Sequence, residues 1–251
     1  MNASYGVSRW PDEKEVFEKM ERLVNQPLRH IKPEAMSKYM KYFEEKCKGS
    51  KAMIEQAKKV IPGGVQHNLA FNYPFPLVVE KAEGAYLYDI DGNRYVDYLQ
   101  AGGPTLLGSN YEPVNRKVWE VVKESGPVTG LFHPYEMKLA EKIRECMPWV
   151  EMYRCLASGT EADMVAIRIA RTYTGKQNII KVGGAYHGWS DQLVYSLHIP
   201  YTQTFEAHGI PKEASANTKE FFPGDVAGLR KVLEENEKNG GTAAVIIEPF
   251  G

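Results

Sequence analysis

Two short runs combine residue types and spacing suited to chemistry, Ser158-Gly159-Thr160 and Tyr186-His187-Gly188. The first joins two hydroxyls to a glycine. Placed ahead of a helix, such a run leaves backbone N–H groups free at the positive end of the helix dipole. That is an anion site matched to a phosphate monoester. The second run offers a flat aromatic face and an imidazole, and a phosphate pocket beside a stacking ring meets the needs of a phosphorylated heteroaromatic ligand. Each run alone has a plainer reading, Ser158 as a helix cap and Tyr186-His187 as packing or surface. Their joint placement is what favours a site.

The elements between the two runs set that placement. Met152 to Leu156 is short and largely apolar and reads as a strand, with Ser158 as the N-cap of the helix that follows. Ala162, Val165, Ala166, Ile169 and Ala170 recur at helical spacing and predict one apolar face, with Arg168 and Arg171 off it. Gly175 is the stop signal. Ile179-Ile180-Lys181-Val182 has the composition of a buried strand, and a right-handed parallel crossover brings both strand ends to one sheet edge. Ligands of open α/β sheets sit beyond that edge.

The remaining composition removes other function classes. At 251 residues and 43% hydrophobic content the chain can bury a sizeable core. Its 31 basic and 32 acidic residues are interspersed, with no basic stripe for nucleic acid. No run approaches the roughly 18 apolar residues of a membrane span, and Met1 to Trp10 lacks the apolar core of a signal peptide. A cytoplasmic protein that binds neither membrane nor nucleic acid is expected. Cys47, Cys146 and Cys155 are odd in number and lack C-x-x-C spacing, and the histidines show no ligand spacing, so neither disulfide nor metal is expected. Asp89-Ile90-Asp91-Gly92-Asn93 reads as a hairpin turn between Ala85–Asp89 and Arg94–Tyr98 rather than a calcium loop.

Along the chain, residues 12 to 24 and 33 to 60 are helix-forming, with Met36, Met40, Phe43 and Cys47 as an apolar stripe. Leu77 to Glu80 reads as a strand. A helix is predicted over Glu136 to Met147 with Leu139, Ile143 and Met147 inward, and another from an Asp225 cap to Gly240-Gly241, feeding a strand at Ala243. Ser196 to Gly224, interrupted by Pro200, Pro211 and Pro223, has the length of a functional loop or lid.

Ser158-Gly159-Thr160-Glu161-Ala162, Ala166-Ile167-Arg168, Ala170-Arg171, Tyr173-Thr174-Gly175, Ile179-Ile180-Lys181 and Tyr186-His187-Gly188 together resemble the class III pyridoxal-phosphate aminotransferases. Within them the resemblance is to the glutamate-1-semialdehyde 2,1-aminomutase group, and Ile61-Pro62-Gly63-Gly64-Val65 and Gly84 to Tyr95 add to it. The similarity runs in consistent order from about Ile61 to Gly251. It implies an α/β fold, fold type I of the PLP-dependent transferases: a mostly parallel sheet with helices on both faces, plus an N-terminal helical and strand-rich segment. Residues 1–108 would be the N-terminal arm and small-domain strands, and 109–251 the first, incomplete part of the large cofactor-binding domain.

The resemblance also implies the cofactor, pyridoxal 5'-phosphate (PLP), and the residues that bind it. Gly159 and Thr160 would hold the phosphate, with Ser158 part of the same cofactor-binding turn, Tyr186 would stack on the ring with His187 beside it, and Glu248 would lie near the ring. The family's ring-nitrogen aspartate and Schiff-base lysine are expected beyond Gly251, so the chain is expected to be a truncated N-terminal fragment without a catalytic residue of its own. Lys176 and Lys181 are not candidates for that lysine. A small-molecule amino donor and acceptor and a homodimer are implied for the full-length enzyme.

Three departures bear on substrate. The family arginine after Ile-Pro-Gly-Gly-Val is absent from Gln66-His67-Asn68-Leu69-Ala70-Phe71. A Ser-Trp-Gly-Pro run is replaced by Ala101-Gly102-Gly103-Pro104, and a His-x-His-Pro run by Ser109-Asn110-Tyr111-Glu112-Pro113. The expectation is therefore an aminotransferase of unassigned substrate. The alternatives are a true aminomutase, a racemase or decarboxylase of the same fold, and a non-catalytic phosphate-cofactor binding module.

Overall fold

Charged, apolar-striped runs build the first helices of the computed structural model, which describes residues 13–126, 130–201 and 208–248. These are α1 (Glu13–Val24), α2 (Pro33–Lys46) and α3 (Lys48–Ala57). The stripe of α2 deepens along its length: Met36, Met40 and Phe43 are half-buried, and Cys47 at the α2–α3 junction is buried. An antiparallel sheet follows, β1 (Val79–Glu83), β2 (Tyr86–Asp89) and β3 (Arg94–Val96), in that spatial order. The predicted hairpin is present, with Leu87 opposite Tyr95.

The carboxylates of the hairpin turn are committed to folding. Asp89 accepts from the Asn93 amide at 2.8 Å and the Tyr95 hydroxyl at 2.7 Å. Asp91 accepts from the amides of Gly49 at 2.6 Å and Ser50 at 2.9 Å, so a distant turn caps the start of α3. These elements and α4 (Glu112–Ser125) belong to one compact unit, Met1–Thr129; Gly130–Gly251 forms a second.

The second unit holds α5 (Pro134–Cys146), α6 (Gly159–Thr174), β4 (Asn178–Val182), β5 (Thr218–Phe221), α7 (Val226–Glu237) and β6 (Thr242–Ile246). Its three strands are parallel, in the order β5-β4-β6, with Ile179 opposite Thr218 and Ile180 opposite Val245. Central β4 is buried from Asn178 to Lys181, as its composition predicts. Helix α6 packs on β6, and α7 on β5 and β6. All three strands deliver their carboxyl ends, at Val182, Phe221 and Ile246, to one edge. Among the described residues no helix is long and apolar enough to cross a membrane.

Four expectations are corrected. Met152–Leu156 is not a strand: Met152 is 92% exposed and no ladder takes up the segment, because an apolar run becomes a strand only beside a partner. The buried face of α6 is not the one that its apolar count selects. Ile169 is 63% exposed and Val165 also faces outward, while Ile167 is buried with Ile179 and Leu193 against Ala244 and Ile246. Thr160, Asp163, Met164 and Ala170 flank Ile167 on this inward face. The inward face carries Thr160 and Asp163 and is by composition the less apolar of the two, so the fit of Ile167 against β6 and its neighbours, not the apolar count, selects it. Of the three residues expected inward around α5, Leu139 and the C-cap residue Met147 are exposed and Ile143 is half-buried. Finally, the proposed lid from Ser196 to Gly224 contains β5. In Thr218-Lys219-Glu220-Phe221 only Thr218 and Phe221 are buried, so two charged residues hide the strand. Residues 202–207 of that segment lie outside the described residues.

Candidate functional site

Ser158 caps α6 from an extended backbone: its Oγ accepts from the Glu161 amide at 3.3 Å and lies 3.1 Å from Glu161 Oε2. A cap accounts fully for this side chain. It does not account for the amides of Gly159 and Thr160, which have no hydrogen-bond partner among the described residues. These are the first two N–H groups of the helix, where the dipole favours negative charge. A Cβ built on Gly159 meets nothing within 4 Å, so the space above this turn is open.

The second run approaches from the end of β4. Gly184 is held on both sides, its N–H donating to Ser196 O at 2.9 Å and its carbonyl accepting from His198 N at 3.1 Å. Glu248, just past β6, accepts from the Tyr186 amide at 2.9 Å and so ties the third strand to the same turn. The Tyr186 ring is 51% exposed, whereas His187 is buried and its Nε2 has no partner. Gly188 has φ +76, and a Cβ there would fall 2.9 Å from Thr160 Cα. Glycine is what allows the two runs to touch.

Their contact encloses a cavity of about 330 Å³ lined by Ser158, Gly159, Thr160, Asp163, Tyr186, His187 and Gly188. Of the residues singled out in the sequence, Glu248 alone is not in the lining; it supports Tyr186 from behind. Asp163 is the lining residue that sequence reasoning missed. The signal was available in the Thr160, Asp163, Ile167 spacing, but it was masked by the competing alanine-rich face.

Beneath the site Lys181 is fully buried, its Nζ donating to Tyr195 O at 2.8 Å and Leu193 O at 3.1 Å. Burial pushes this ammonium down to about 8, opposed by Glu220 and Glu248. Lys176 pairs with Glu237 at 2.9 Å. Neither lysine is among the residues lining the cavity. His187 is held below the usual imidazole range by burial and then by Lys181, against the opposite pull of Asp163 and Glu248. Its ring is therefore neutral at pH 7. Burial raises the Asp163 carboxyl above the usual range, and His187 opposes the shift.

The family profile described as Aminotransferase class-III matches residues 69–251. A glutamate-1-semialdehyde 2,1-aminomutase from Methanothrix thermoacetophila is 38% identical over 202 residues, covering 80% of this chain and 46% of the relative. Among solved structures, an omega-transaminase from Sphaerobacter thermophilus superposes with a TM-score of 0.71 at 28% identity, covering 80% of this chain and 47% of that one. A transaminase solved with PLP bound gives 0.74 at 29% identity, covering 81% and 47%. The chain thus spans about half the length of the curated relatives it matches.

Proposed function

The chain belongs to the class-III aminotransferases, and on that premise we propose that it supplies the cofactor-anchoring part of a PLP-dependent enzyme that transfers an amino group between small molecules. The observation that carries this reading is the cavity joining the free amides of Gly159 and Thr160 to the exposed ring of Tyr186 and the buried imidazole of His187. PLP fits these residues on two counts: the open space over Gly159 is a cradle that a Cβ would fill, and His187 Nε2 is a buried polar atom awaiting a partner.

In this reading the Gly159 and Thr160 amides, with the Thr160 hydroxyl, hold the phosphate at the helix N-terminus, and Ser158 keeps that terminus in shape as its cap. Tyr186 offers its ring face to the pyridine, and Glu248 fixes the Tyr186 backbone so that the face does not swing away. His187, buried and neutral, presents Nε2 for one hydrogen bond. Bound there, the cofactor supplies an electron sink for the carbon that bears the amino group.

An aminotransferase of unassigned donor and acceptor is favoured over a true aminomutase by the substrate-side departures at Gln66–Phe71, Ala101–Pro104 and Ser109–Pro113. We assign residues 109–251 to the cofactor-binding domain and residues 1–108 to the arm and small domain. A cytoplasmic homodimer completes the reading, testable by light scattering and fractionation. The decisive experiment titrates the purified protein with pyridoxine 5'-phosphate, which lacks the aldehyde and reports only phosphate and ring contacts, against unphosphorylated pyridoxine. Binding that depends on the phosphate supports the assignment; equal binding of the two refutes it.

A further inference from the structure

Asp163 stands on the inward face of α6, one turn beyond Gly159, and lines the same cavity as His187. A carboxylate is an unfavourable neighbour for an anion-binding turn, since like charges repel. Its position therefore needs another explanation, and His187 supplies one. That side chain is only 6% exposed, and its Nε2 has no hydrogen-bond partner. A buried imidazole with an unmet nitrogen beside a carboxylate is an arrangement in which the acid governs how the base carries its proton.

We propose that Asp163 is a positioning residue that acts on His187 by its charge across the cavity they both line, favouring the imidazole form whose Nε2 carries a proton and can donate to an acceptor atom of the bound ligand. The proposal rests on the functional reading above, because it assumes a ligand in this cavity. Three charges bear on the ring from the elements around it: Asp163 from α6 and Glu248 from beyond β6 favour its protonated form, and Lys181 from β4 opposes it. Asp163 is the one of these that itself lines the cavity. It is thus the carboxylate placed to respond directly to whatever occupies that space. In the absence of ligand, burial and Lys181 prevail and the ring is neutral; an acceptor facing Nε2 adds to the pull of Asp163.

The test is histidine-selective ¹⁵N NMR of the ligand-free protein across pH, with the His187 signals identified by their loss in His187→Gln. Asp163→Asn keeps the side-chain shape and removes the charge. It is expected to lower the His187 pKa by roughly half a unit to one unit, while Asp163→Glu retains the wild-type value within about 0.3 unit. A purely structural role for Asp163 would leave the imidazole titration in place. A shift below about 0.2 unit in Asp163→Asn overturns the proposal. Where that variant does not fold, Glu248→Gln answers: with the other carboxylate gone, titration of Asp163 must still give the His187 signals a second inflection in the acid range, and a single inflection is equally fatal. The readings remain distinguishable: the NMR needs no ligand, whereas pyridoxine 5'-phosphate binding tests the cavity as a cofactor site.

Discussion

Replacing Gly188 by alanine tests the central geometric claim, that the Tyr186 turn and the phosphate turn are one packed unit. Two costs arise. Gly188 sits at φ +76, and an L-residue there loses roughly 1 to 2 kcal/mol. The new Cβ would also lie 2.8 Å from Thr160 Cβ and 2.9 Å from Thr160 Cα, where about 3.5 Å or more is normal. Thr160 is on a helix and cannot rotate its backbone away, so the two turns must part by more than half an ångström, at an overpacking cost of roughly 1 to 3 kcal/mol. The lower conformational entropy of an unfolded alanine chain returns about 0.4 to 1 kcal/mol. A net loss of roughly 1 to 5 kcal/mol follows. Parting the turns moves the Thr160 amide off its aim, and losing one hydrogen bond to a charged group is worth about 1.5 to 3 kcal/mol, or roughly ten- to hundredfold in affinity.

The assay pairs urea unfolding with calorimetric titration of pyridoxine 5'-phosphate. Gly175→Ala is the control: Gly175 has φ +69 but open space around its Cβ position, so it registers the backbone cost without the contact. Gly188→Ala should exceed that control in lost stability and should alone lose binding. If it unfolds with the control and binds within twofold of wild type, the two turns are not packed as described.

Gly159→Val reverses the pattern: with nothing within 4 Å of its Cβ position the fold should hold within about 1 kcal/mol, while pyridoxine 5'-phosphate binding falls at least about tenfold. Unchanged affinity would move the phosphate elsewhere. Tyr186→Ala should weaken the same titration by roughly 1 to 2 kcal/mol, the worth of one aromatic contact, and an unaltered isotherm would reduce Tyr186 to packing. Lys181 gives a pH prediction. Its folded value of about 8 lies below the 10.5 of a free lysine, so the unfolded chain binds more protons between these values and stability rises as pH climbs through them. Relative to Lys181→Met, wild-type unfolding free energy should gain roughly 2 kcal/mol from pH 8 to pH 10. A flat difference would mean that the ammonium is not desolvated.

The sequence by itself determined the local chemistry. A serine cap, a following glycine and a glycine stop set α6; the Ile179, Ile180 and Val182 run, with only Lys181 between, set β4; an Asp-Gly turn between alternating strands set the β2–β3 hairpin. Each depends on neighbours a few residues away, and order along the chain sufficed to identify the family. Tertiary structure decided what depends on partners. Met152–Leu156 stays unpaired because a ladder needs a second strand, whereas charged Thr218–Phe221 becomes a strand because β4 is there to receive it. The inward face of α6 was settled by the fit of Ile167 against Ile179 and Leu193, and that rotation brought Asp163 into the cavity. Lys181 is buried because the carbonyls of Leu193 and Tyr195 fold back to accept from it, and Glu248 reaches Tyr186 because β6 runs parallel to β4. Local capping and propensity are short-range energies written in adjacent residues, while burial, register and the field at His187 are sums over groups that only the folded chain brings together.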